Sequence, residues 1–235
     1  MDRTIYDSIN ELEANHWWFV ARRRIIASLI KRFLPGNPDP ELMEAGCGSG
    51  GNLPMLAQFG RLDAFEYDAT AREHASKKSG LDVQPGALPH EIPFAPKNYD
   101  LIGLFDVLEH IESDAEALTA LAGRLKDGGR LLVTVPAYQF LWSQHDVRNH
   151  HFRRYSRSTL EAVVQKAGLK LVYISYFNTF LFPLAAAARL VKNMVGSDAP
   201  DDKMPGRLVN ALFTRIFAAE SFLLGRIRLP FGLSL

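Results

Sequence analysis

The chain contains 235 residues, of which 47% are hydrophobic and 23% are charged. These proportions are close to globular averages and exclude a largely disordered chain, a collagen-like repeat and a protein with many membrane spans. The 27 lysine and arginine residues nearly balance the 26 acidic ones, so the overall charge gives no reason to expect a nucleic-acid partner. Cys47 is the only cysteine, which excludes an intrachain disulfide and a cysteine-based zinc site and favours a cytoplasmic location. The acidic start after Met1 is not typical of a secretory signal.

Hydrophobic spacing predicts that residues 1–34 form an amphipathic helix, which ends at the proline-rich segment 35–40. From residue 41 onward, short apolar runs alternate with helical stretches. This alternation predicts a doubly wound α/β domain, with a mostly parallel sheet and helices on both faces. The predicted strands are 41–45, 62–66, 99–105, 130–135 and 169–175, and the predicted helices are 52–59, 69–79, 114–125 and 157–167.

A glycine-rich loop, EAGCGSGGNLP at residues 44–54, follows the first predicted strand and begins a helix. Glycine permits a tight turn there and lets the backbone approach a ligand closely. The loop fits the pattern GxGxG through Gly46, Gly48 and Gly50, and it also fits the dinucleotide fingerprint GxGxxG. By itself it therefore predicts a nucleotide-like ligand without selecting one.

An acidic residue stands about 20 positions further on, where a carboxylate binds ribose hydroxyls in such folds. Glu66 is the first candidate and Asp68 is its close competitor. Together with this residue and the glycine loop, the sequences GALP at 86–89 and YDLIGLFDVLEHIESD at 99–114 resemble class I S-adenosylmethionine-dependent methyltransferases. The resemblance covers roughly residues 40–175 and implies a Rossmann-like fold with S-adenosylmethionine as cofactor.

The resemblance also implies which residues surround the cofactor. Glu44 and the glycine loop would surround its methionyl part, and Glu66 would bind the ribose. The floor of the pocket near the methyl group would be formed by the end of the strand 99–105. The residues expected to contact the cofactor are Glu44, Gly46, Cys47, Gly48, Gly50, Glu66, Ala87, Leu88, Phe105 and Asp106.

Two further segments resemble a bacterial subgroup of this family that is often recognised beside glycosyltransferases of the cell envelope. One is HWWF at residues 16–19, where Trp17 and Trp18 are predicted to contact the acceptor. Aromatic side chains there either close over the cofactor as a lid or pack the helix onto the domain, and the sequence leaves both interpretations open. The other is the polar segment 145–156, which follows the strand 130–135.

Histidines in the polar segment are candidate catalytic bases. His145, His150 or His151 could take a proton from a hydroxyl whose oxygen attacks the methyl carbon. His110 is a secondary candidate, because a histidine beside apolar neighbours is more typical of a packed residue. Methyl transfer depends mainly on alignment of the reacting atoms, so a base is not obligatory.

The same segment contains Arg153, Arg154 and Tyr155, which we predict to contact the acceptor. The two guanidinium groups could hold an acceptor phosphate or carboxylate through charge-assisted hydrogen bonds. A metal site made by the loop histidines is disfavoured because His150 and His151 are adjacent. The sequence therefore predicts no metal.

These residues predict an S-adenosylmethionine-dependent methyltransferase that acts at an oxygen of a small-molecule or lipid-linked acceptor, such as an envelope saccharide or a polyprenyl compound. The glycine fingerprint leaves an NAD(P)-dependent oxidoreductase as an alternative. The apolar carboxyl-terminal region leaves another alternative, a non-enzymatic membrane-associated adaptor that retains the fold.

Three regions are predicted: an amino-terminal lid at 1–34, the cofactor-binding core at 35–175, and an apolar helical extension at 176–235. The extension contains most of an uncharged run that ends at residue 188, but the part beyond the strand 169–175 is too short to span a bilayer. With a predicted helix at 208–224, segment 177–188 would form an apolar surface for peripheral contact with the inner face of the membrane, for a lipid acceptor or for a homodimer. Residues 232–235 are expected to begin an antiparallel last strand.

Overall fold

The computed structural model describes residues 10–34, 36–94, 99–194 and 204–235. The start of the predicted amino-terminal helix and most of the predicted polar loop near 196–205 lie outside these residues. The strands are β1 (Glu41–Ala45), β2 (Arg61–Glu66), β3 (Gln84–Pro85), β4 (Tyr99–Phe105) and β5 (Leu125–Thr134). The helices are α1 (Trp17–Phe33), α2 (Leu53–Leu56), α3 (Ala69–Ser79), α4 (Asp114–Ala122), α5 (Gln144–Arg148), α6 (Arg157–Lys166), α7 (Phe182–Met194) and α8 (Arg207–Ala218), and 3₁₀ turns lie at Leu108–His110, Gln139–Leu141 and Ala219–Phe222.

The five strands form a parallel sheet in the order β3-β2-β1-β4-β5. Neighbouring residues of its inner strands point to opposite faces, and both faces are covered. Leu42 of β1 packs with Ile26 of α1 on one face, whereas Met43 packs with Leu118 of α4 on the other. Burial on both faces requires the continuous apolar runs from which these strands were predicted. The predicted doubly wound, Rossmann-like fold is confirmed.

Residues 169–175 do not form the predicted strand. Within the described residues, the chain there makes isolated bridges only at its end, from Tyr176 to Leu229 and from Phe177 to Ser234. A β-strand needs a neighbouring strand with which to form backbone hydrogen bonds, and the segment 233–235 is long enough for only a few of them. That segment pairs with β5's continuation, because Leu235 exchanges backbone hydrogen bonds of 2.9 and 3.0 Å with Val135. The expected start of an antiparallel last strand is therefore present as this short pairing.

The amino-terminal and carboxyl-terminal helices pack against each other, which the predicted division into regions does not anticipate. Residues 13–16 break the predicted long helix, and α1 begins at Trp17. Ala21 and Ile25 of α1 share one apolar cluster with Phe217 of α8. None of the described helices has the length and apolar character needed to cross a bilayer.

Glu220 anchors this helical layer from a fully buried position. Its carboxylate accepts backbone hydrogen bonds from Asn178, Thr179 and Phe180 at 2.7, 2.7 and 2.9 Å. Burial raises the pKa of Glu220, and the three hydrogen bonds oppose that rise. The carboxylate thus satisfies the turn that precedes α7.

Replacing Glu220 by alanine is expected to lower the free energy of unfolding by about 3 kcal/mol or more, because buried N–H groups lose their acceptor. Urea denaturation measures this change. Glu220→Gln keeps one acceptor oxygen and should lose less, and the exposed Glu116→Ala should change stability by less than about 0.5 kcal/mol. Equal losses in the alanine and glutamine variants would contradict the assigned role.

Candidate active site

The carboxyl ends of the parallel strands bring the predicted cofactor residues to one edge of the sheet. The N–H groups of Gly46 and Cys47 donate to the carbonyl oxygen of Phe65 at 3.0 and 3.1 Å. Gly48 N–H donates to Oε2 of Glu66 at 2.8 Å. The glycine loop after β1 is therefore joined directly to the end of β2, as expected for ligand binding at this edge.

Glycine is needed for different reasons at the three positions of the loop. Gly46, Gly48 and Gly50 all have positive φ angles, of 70°, 55° and 83°. A Cβ at Gly46 would lie 3.0 Å from Val107, and one at Gly50 would lie 2.7 Å from Cα of Ala75. A Cβ at Gly48 would meet no atom of the described residues within 4 Å, apart from its own chain neighbours. Packing thus requires two of these glycines, whereas Gly48 borders open space in which a ligand could lie.

Glu44 supplies a buried carboxylate with one oxygen unused by the protein. Its Oε1 accepts a hydrogen bond of 2.8 Å from Nδ2 of Asn52, and its Oε2 has no hydrogen-bond partner among the residues that the structure describes. Burial raises the pKa of Glu44 to about 8, with nearby Glu13 and Glu66 adding to the rise and Arg22 opposing it. A buried unpaired carboxylate oxygen fits a positively charged group such as a ligand ammonium.

Glu66, and not its neighbour Asp68, faces the glycine loop. Glu66 is buried, and its two oxygens accept from the N–H groups of Gly48 and Asp68 at 2.8 and 2.9 Å. Asp68 instead caps α3 by accepting from Ala71 N–H at 2.8 Å. Each Glu66 oxygen keeps a further lone pair, so it can accept hydroxyl donors without losing the loop.

The other predicted cofactor residues lie at the same edge. Cys47 is buried, and burial raises the pKa of its thiol, which keeps the thiol protonated. Ala87 and Leu88 follow β3 and are half-buried. Phe105 is buried at the end of β4, and Asp106 follows with a positive φ of 56°. The structure thus brings the predicted set together.

Glu13, just before α1, reaches across the glycine loop. It is buried, its Oε1 accepts a hydrogen bond of 3.1 Å from Ser49 Oγ, and it forms an ion pair with Lys78 of α3. The amino-terminal segment therefore touches both sides of the loop.

Arg22 of α1 also lies against the site, beside the end of β4. Its guanidinium forms an ion pair with Asp106 and lies 4.4 Å from the ring centroid of Trp18. Burial lowers the pKa of Arg22 to about 10, so it stays charged near neutral pH. Trp17 instead packs edge-to-face on Phe213 of α8 at a centroid distance of 5.5 Å. The packing interpretation thus describes Trp17, and a lid contact for Trp18 remains a prediction.

A cavity of about 330 Å³ lies beside the glycine loop, lined by residues including Glu13, Arg23, Gly51, Met55 and Lys78. None of the residues predicted to contact the cofactor lines it. Those residues lie at the carboxyl ends of the strands and in the loops that follow them, and Arg22 pairs with one of them, Asp106. The cavity is therefore a neighbour of the site and not the pocket that the sequence predicts.

Asp146 organises the polar segment after β5. It is fully buried and receives Nε and Nη2 of Arg154 at 2.7 and 2.9 Å, together with Nδ1 of His151 at 2.8 Å. Ser143 N–H also donates to it at 2.9 Å. These hydrogen bonds and the charge of Arg154 hold the pKa of Asp146 well below its usual range, against the opposing effect of burial.

The three residues of this segment that are predicted to contact the acceptor have partners inside the protein. Arg154 is buried on Asp146, and the hydroxyl of buried Tyr155 lies 3.0 Å from Oδ2 of Asp114. Arg153 forms an ion pair of 2.7 Å with the same Asp114. These contacts position the segment, and a direct contact of the three side chains with the acceptor remains a prediction.

Three of the predicted histidines lie together. The ring centroids of His110 and His151 are 4.5 Å apart, and His145 lies 6.1 Å from His151. His150 is exposed with a positive φ of 55°. Burial lowers the pKa of His110 to about 3 and that of His145 to about 4, so both imidazoles are neutral near pH 7.

The methyltransferase domain family matches residues 18–174, more than half of the chain. The chain belongs to this family. Membership implies S-adenosylmethionine as the cofactor of this methyltransferase, and the match removes the dinucleotide interpretation of the glycine loop. Three features of the site fit that cofactor. The unpaired Glu44 oxygen fits its ammonium group, and the Glu66 carboxylate fits its ribose. The open space at Gly48 fits a ligand that lies close to the backbone.

A Mycobacterium tuberculosis protein named "Probable S-adenosylmethionine-dependent methyltransferase" is 29% identical over 131 residues, which cover 55% of this chain and 46% of that protein. The chain thus matches less than half the length of this relative. A ubiquinone biosynthesis O-methyltransferase of Burkholderia pseudomallei is 26% identical over 156 residues, covering 58% of this chain and 67% of that one. In fold, the chain is similar to a Haloferax volcanii methyltransferase solved with the Trm112 activator, with a TM-score of 0.61, 18% identity, and coverage of 91% and 90%.

Several site residues are missing from the sequence-based set, namely Glu13, Arg22, Asn52, Glu109 and Asp146. Two had local signals. Arg22 stands four residues after Trp18, the helical spacing of a cation–π pair, and Asp146 stands three after Ser143 in a capping box. The contacts of Glu13 and Glu109 are between distant segments and have no local signal.

The affinity for S-adenosylhomocysteine is expected to rise with pH between 6 and 8, by up to about tenfold per unit. The reason is that the free enzyme must first lose the proton from Glu44, whose pKa is raised to about 8, before its carboxylate pairs with the ligand ammonium. Calorimetry in two buffers measures the released proton. Glu44→Gln should bind about 10–100-fold more weakly without this slope, whereas Glu109→Gln, which removes another carboxyl with a pKa near 8, should keep it. The same slope in the Glu44 variant would show that another group titrates.

Proposed function

We propose that this methyltransferase transfers the methyl group of S-adenosylmethionine to a hydroxyl oxygen of a small-molecule acceptor, including one that is lipid-linked. The observation that carries the proposal is the cluster of the imidazole rings of His110, His145 and His151, at the sheet edge just beyond Asp106. Burial lowers the pKa values of His110 and His145, so these two rings are neutral near pH 7. A neutral imidazole can accept a proton from a hydroxyl. Such a group is more useful for oxygen, whose proton must leave, than for a neutral amine.

The chain's own residues would divide the work. Glu44, Glu66 and the glycine loop hold and orient the cofactor, which supplies an activated methyl group. Arg22 and Trp18 cover the site and exclude water. A histidine accepts the hydroxyl proton as the oxygen attacks. Alignment contributes most of the rate, because the sulfonium already activates the methyl carbon.

The curated relatives support oxygen as the target. Ubiquinone biosynthesis O-methyltransferases of Burkholderia pseudomallei and of Burkholderia thailandensis are 26% and 27% identical to this chain over 156 residues. Their names give the atom type, and we extend only that to this chain.

Exposed apolar side chains in the segment after β5 and in α7 support a lipid-linked substrate. Phe140 and Phe152 of the segment after β5 are 60% and 52% exposed, and Leu184 of α7 is 59% exposed. The ring of Tyr138 contacts Phe140 in a tilted arrangement at a centroid distance of 5.1 Å and Phe182 edge-to-face at 5.8 Å, so the start of α7 lies beside that segment. We propose that this surface contacts a lipid acceptor or the membrane interface, with a homodimer contact as the alternative.

The direct test uses S-adenosylmethionine with a carbon-13 methyl group and a panel of free and lipid-linked hydroxyl compounds. The methyl resonance of the product distinguishes oxygen from nitrogen. We expect an O-methyl product with the wild-type chain and none with Gly48→Val. A product labelled only on nitrogen or carbon would refute the proposed target.

Flotation with lipid vesicles tests the apolar surface separately. We expect part of the protein to float, and Phe140→Ser combined with Leu184→Ser to remain in the soluble fraction. If the wild-type protein stays wholly soluble while sedimenting as a dimer that the double variant disrupts, the surface is a dimer contact instead.

A further inference from the structure

Glu109, His110 and His151 form a compact set of metal-ligating side chains beside the cofactor site. Each offers one ligand atom, and these atoms lie within 4.8 Å of one another. Glu109 and His110 belong to the 3₁₀ turn after β4, whereas His151 comes from the segment after β5. Two separate parts of the chain thus converge on one point.

The two imidazoles are held as metal ligands usually are. Nδ1 of His151 is bonded to Asp146 at 2.8 Å, which leaves Nε2 available. The His110 ring hydrogen-bonds the backbone of Asn149, so it too has one nitrogen engaged and one remaining. A carboxylate or a backbone group on the second nitrogen is the recurrent outer shell of metal-bound histidine.

Glu109 provides the independent observation. It is only 1% exposed, and within the described part of the chain its Oε2 has no hydrogen-bond partner. The neighbouring carboxylates differ, because Asp106 is paired with Arg22 and Asp146 with Arg154. A buried carboxylate oxygen without a partner is costly unless a cation or donor meets it.

We propose that Glu109, His110 and His151 bind one divalent transition-metal ion. Two imidazoles and one carboxylate are a donor set typical of Zn²⁺. Hard cations such as Mg²⁺ prefer an all-oxygen set. This proposal departs from the sequence-based expectation of no metal, which considered the loop histidines without Glu109 and His110.

The role of the ion rests on the proposed function. An ion here would stabilise negative charge on the acceptor oxygen and so favour loss of its proton. The O–H bond breaks and its proton passes to His145, which lies outside the ligand set. The oxygen–carbon bond forms as the carbon–sulfur bond breaks, and sulfur keeps that electron pair in S-adenosylhomocysteine.

The test measures metal binding by the chelator-treated full chain, without turnover. Titration with Co²⁺, followed by its visible d–d absorption, and then displacement by Zn²⁺ should both show one site per chain. Mg²⁺ should not compete. Because no acceptor is present, the result does not depend on whether oxygen is the methylated atom, and failure of O-methylation leaves it intact.

Glu109→Gln and His151→Gln should each weaken Co²⁺ binding by at least about 10–100-fold. His90→Gln is the matched control, since it removes an exposed histidine and should bind as the wild type does. Thermal unfolding and S-adenosylhomocysteine binding verify that each variant is folded. The proposal is overturned if wild-type chain binds no stoichiometric Co²⁺ or Zn²⁺, or if folded Glu109→Gln and His151→Gln bind as tightly as His90→Gln.

Discussion

Replacing Gly48 by valine is expected to abolish binding of S-adenosylhomocysteine, with affinity reduced more than about 100-fold, or about 2.8 kcal/mol. A Cβ at Gly48 points into space where no protein atom lies within 4 Å, next to the N–H that donates to Glu66. The branched side chain would occupy the ligand's position. The backbone at Gly48 has a positive φ of 55°, and a valine there adds strain of about 1–2 kcal/mol. Calorimetric titration measures the loss.

Gly128→Val separates the steric effect from backbone strain. Gly128 has a positive φ of 78° and also has no atom within 4 Å of an added Cβ, but it lies in an exposed part of β5. This variant should lose similar stability and bind the ligand normally. Equal binding by both variants would show that the ligand does not pass Gly48.

Removing the buried carboxylate of Asp146 is expected to cost about 3–5 kcal/mol of unfolding free energy. Asp146→Ala leaves the guanidinium of Arg154, whose side chain is 3% exposed, without its bidentate partner. The loss is large because an unpaired buried charge is far less stable than the pair. It is a major part of the 5–15 kcal/mol typical of a domain. Urea denaturation in the presence of a chelator measures it without any metal contribution.

A double variant tests whether the loss comes from the stranded charge. Asp146→Leu combined with Arg154→Met removes both charges and should recover most of the stability. Asp127→Ala, which alters an exposed aspartate of β5, should change the stability by less than about 0.5 kcal/mol. A double variant as unstable as Asp146→Ala would place the effect in lost packing or in the lost His151 contact.

The strands at the centre of the sheet could be predicted closely because each buried strand is a continuous run of apolar residues in the sequence. β1 and β4 occupy the predicted ranges, and α3 coincides with its predicted helix. The positions of the residues predicted to contact the cofactor were equally predictable, since each stands at the end of a strand or in the loop after it; their contact with the cofactor remains a prediction. Parallel strands necessarily bring such positions to one edge.

The acceptor side could not be predicted in the same way. Arg154 and Tyr155 have the composition of an anion-binding loop, yet Asp146 and Asp114 engage them inside the protein. Residues 169–175 have the composition of a strand, yet among the described residues backbone bridges begin only after this segment, from Tyr176 to Leu229 and from Phe177 to Ser234. In both cases the outcome depends on which distant group lies opposite, and composition does not contain that information.

The α/β alternation, the glycine loop and membership in a cofactor-binding class can be inferred from the sequence alone, because each depends on local spacing and on strand ends. The packing of α1 on α8, the ion pair of Arg22 with Asp106, and the meeting of Glu109, His110 and His151 become visible only in the folded chain. The physical reason is the range of the interactions. Hydrophobic periodicity and backbone conformation act within a few residues, whereas buried charges are stabilised by partners that folding brings from elsewhere in the chain.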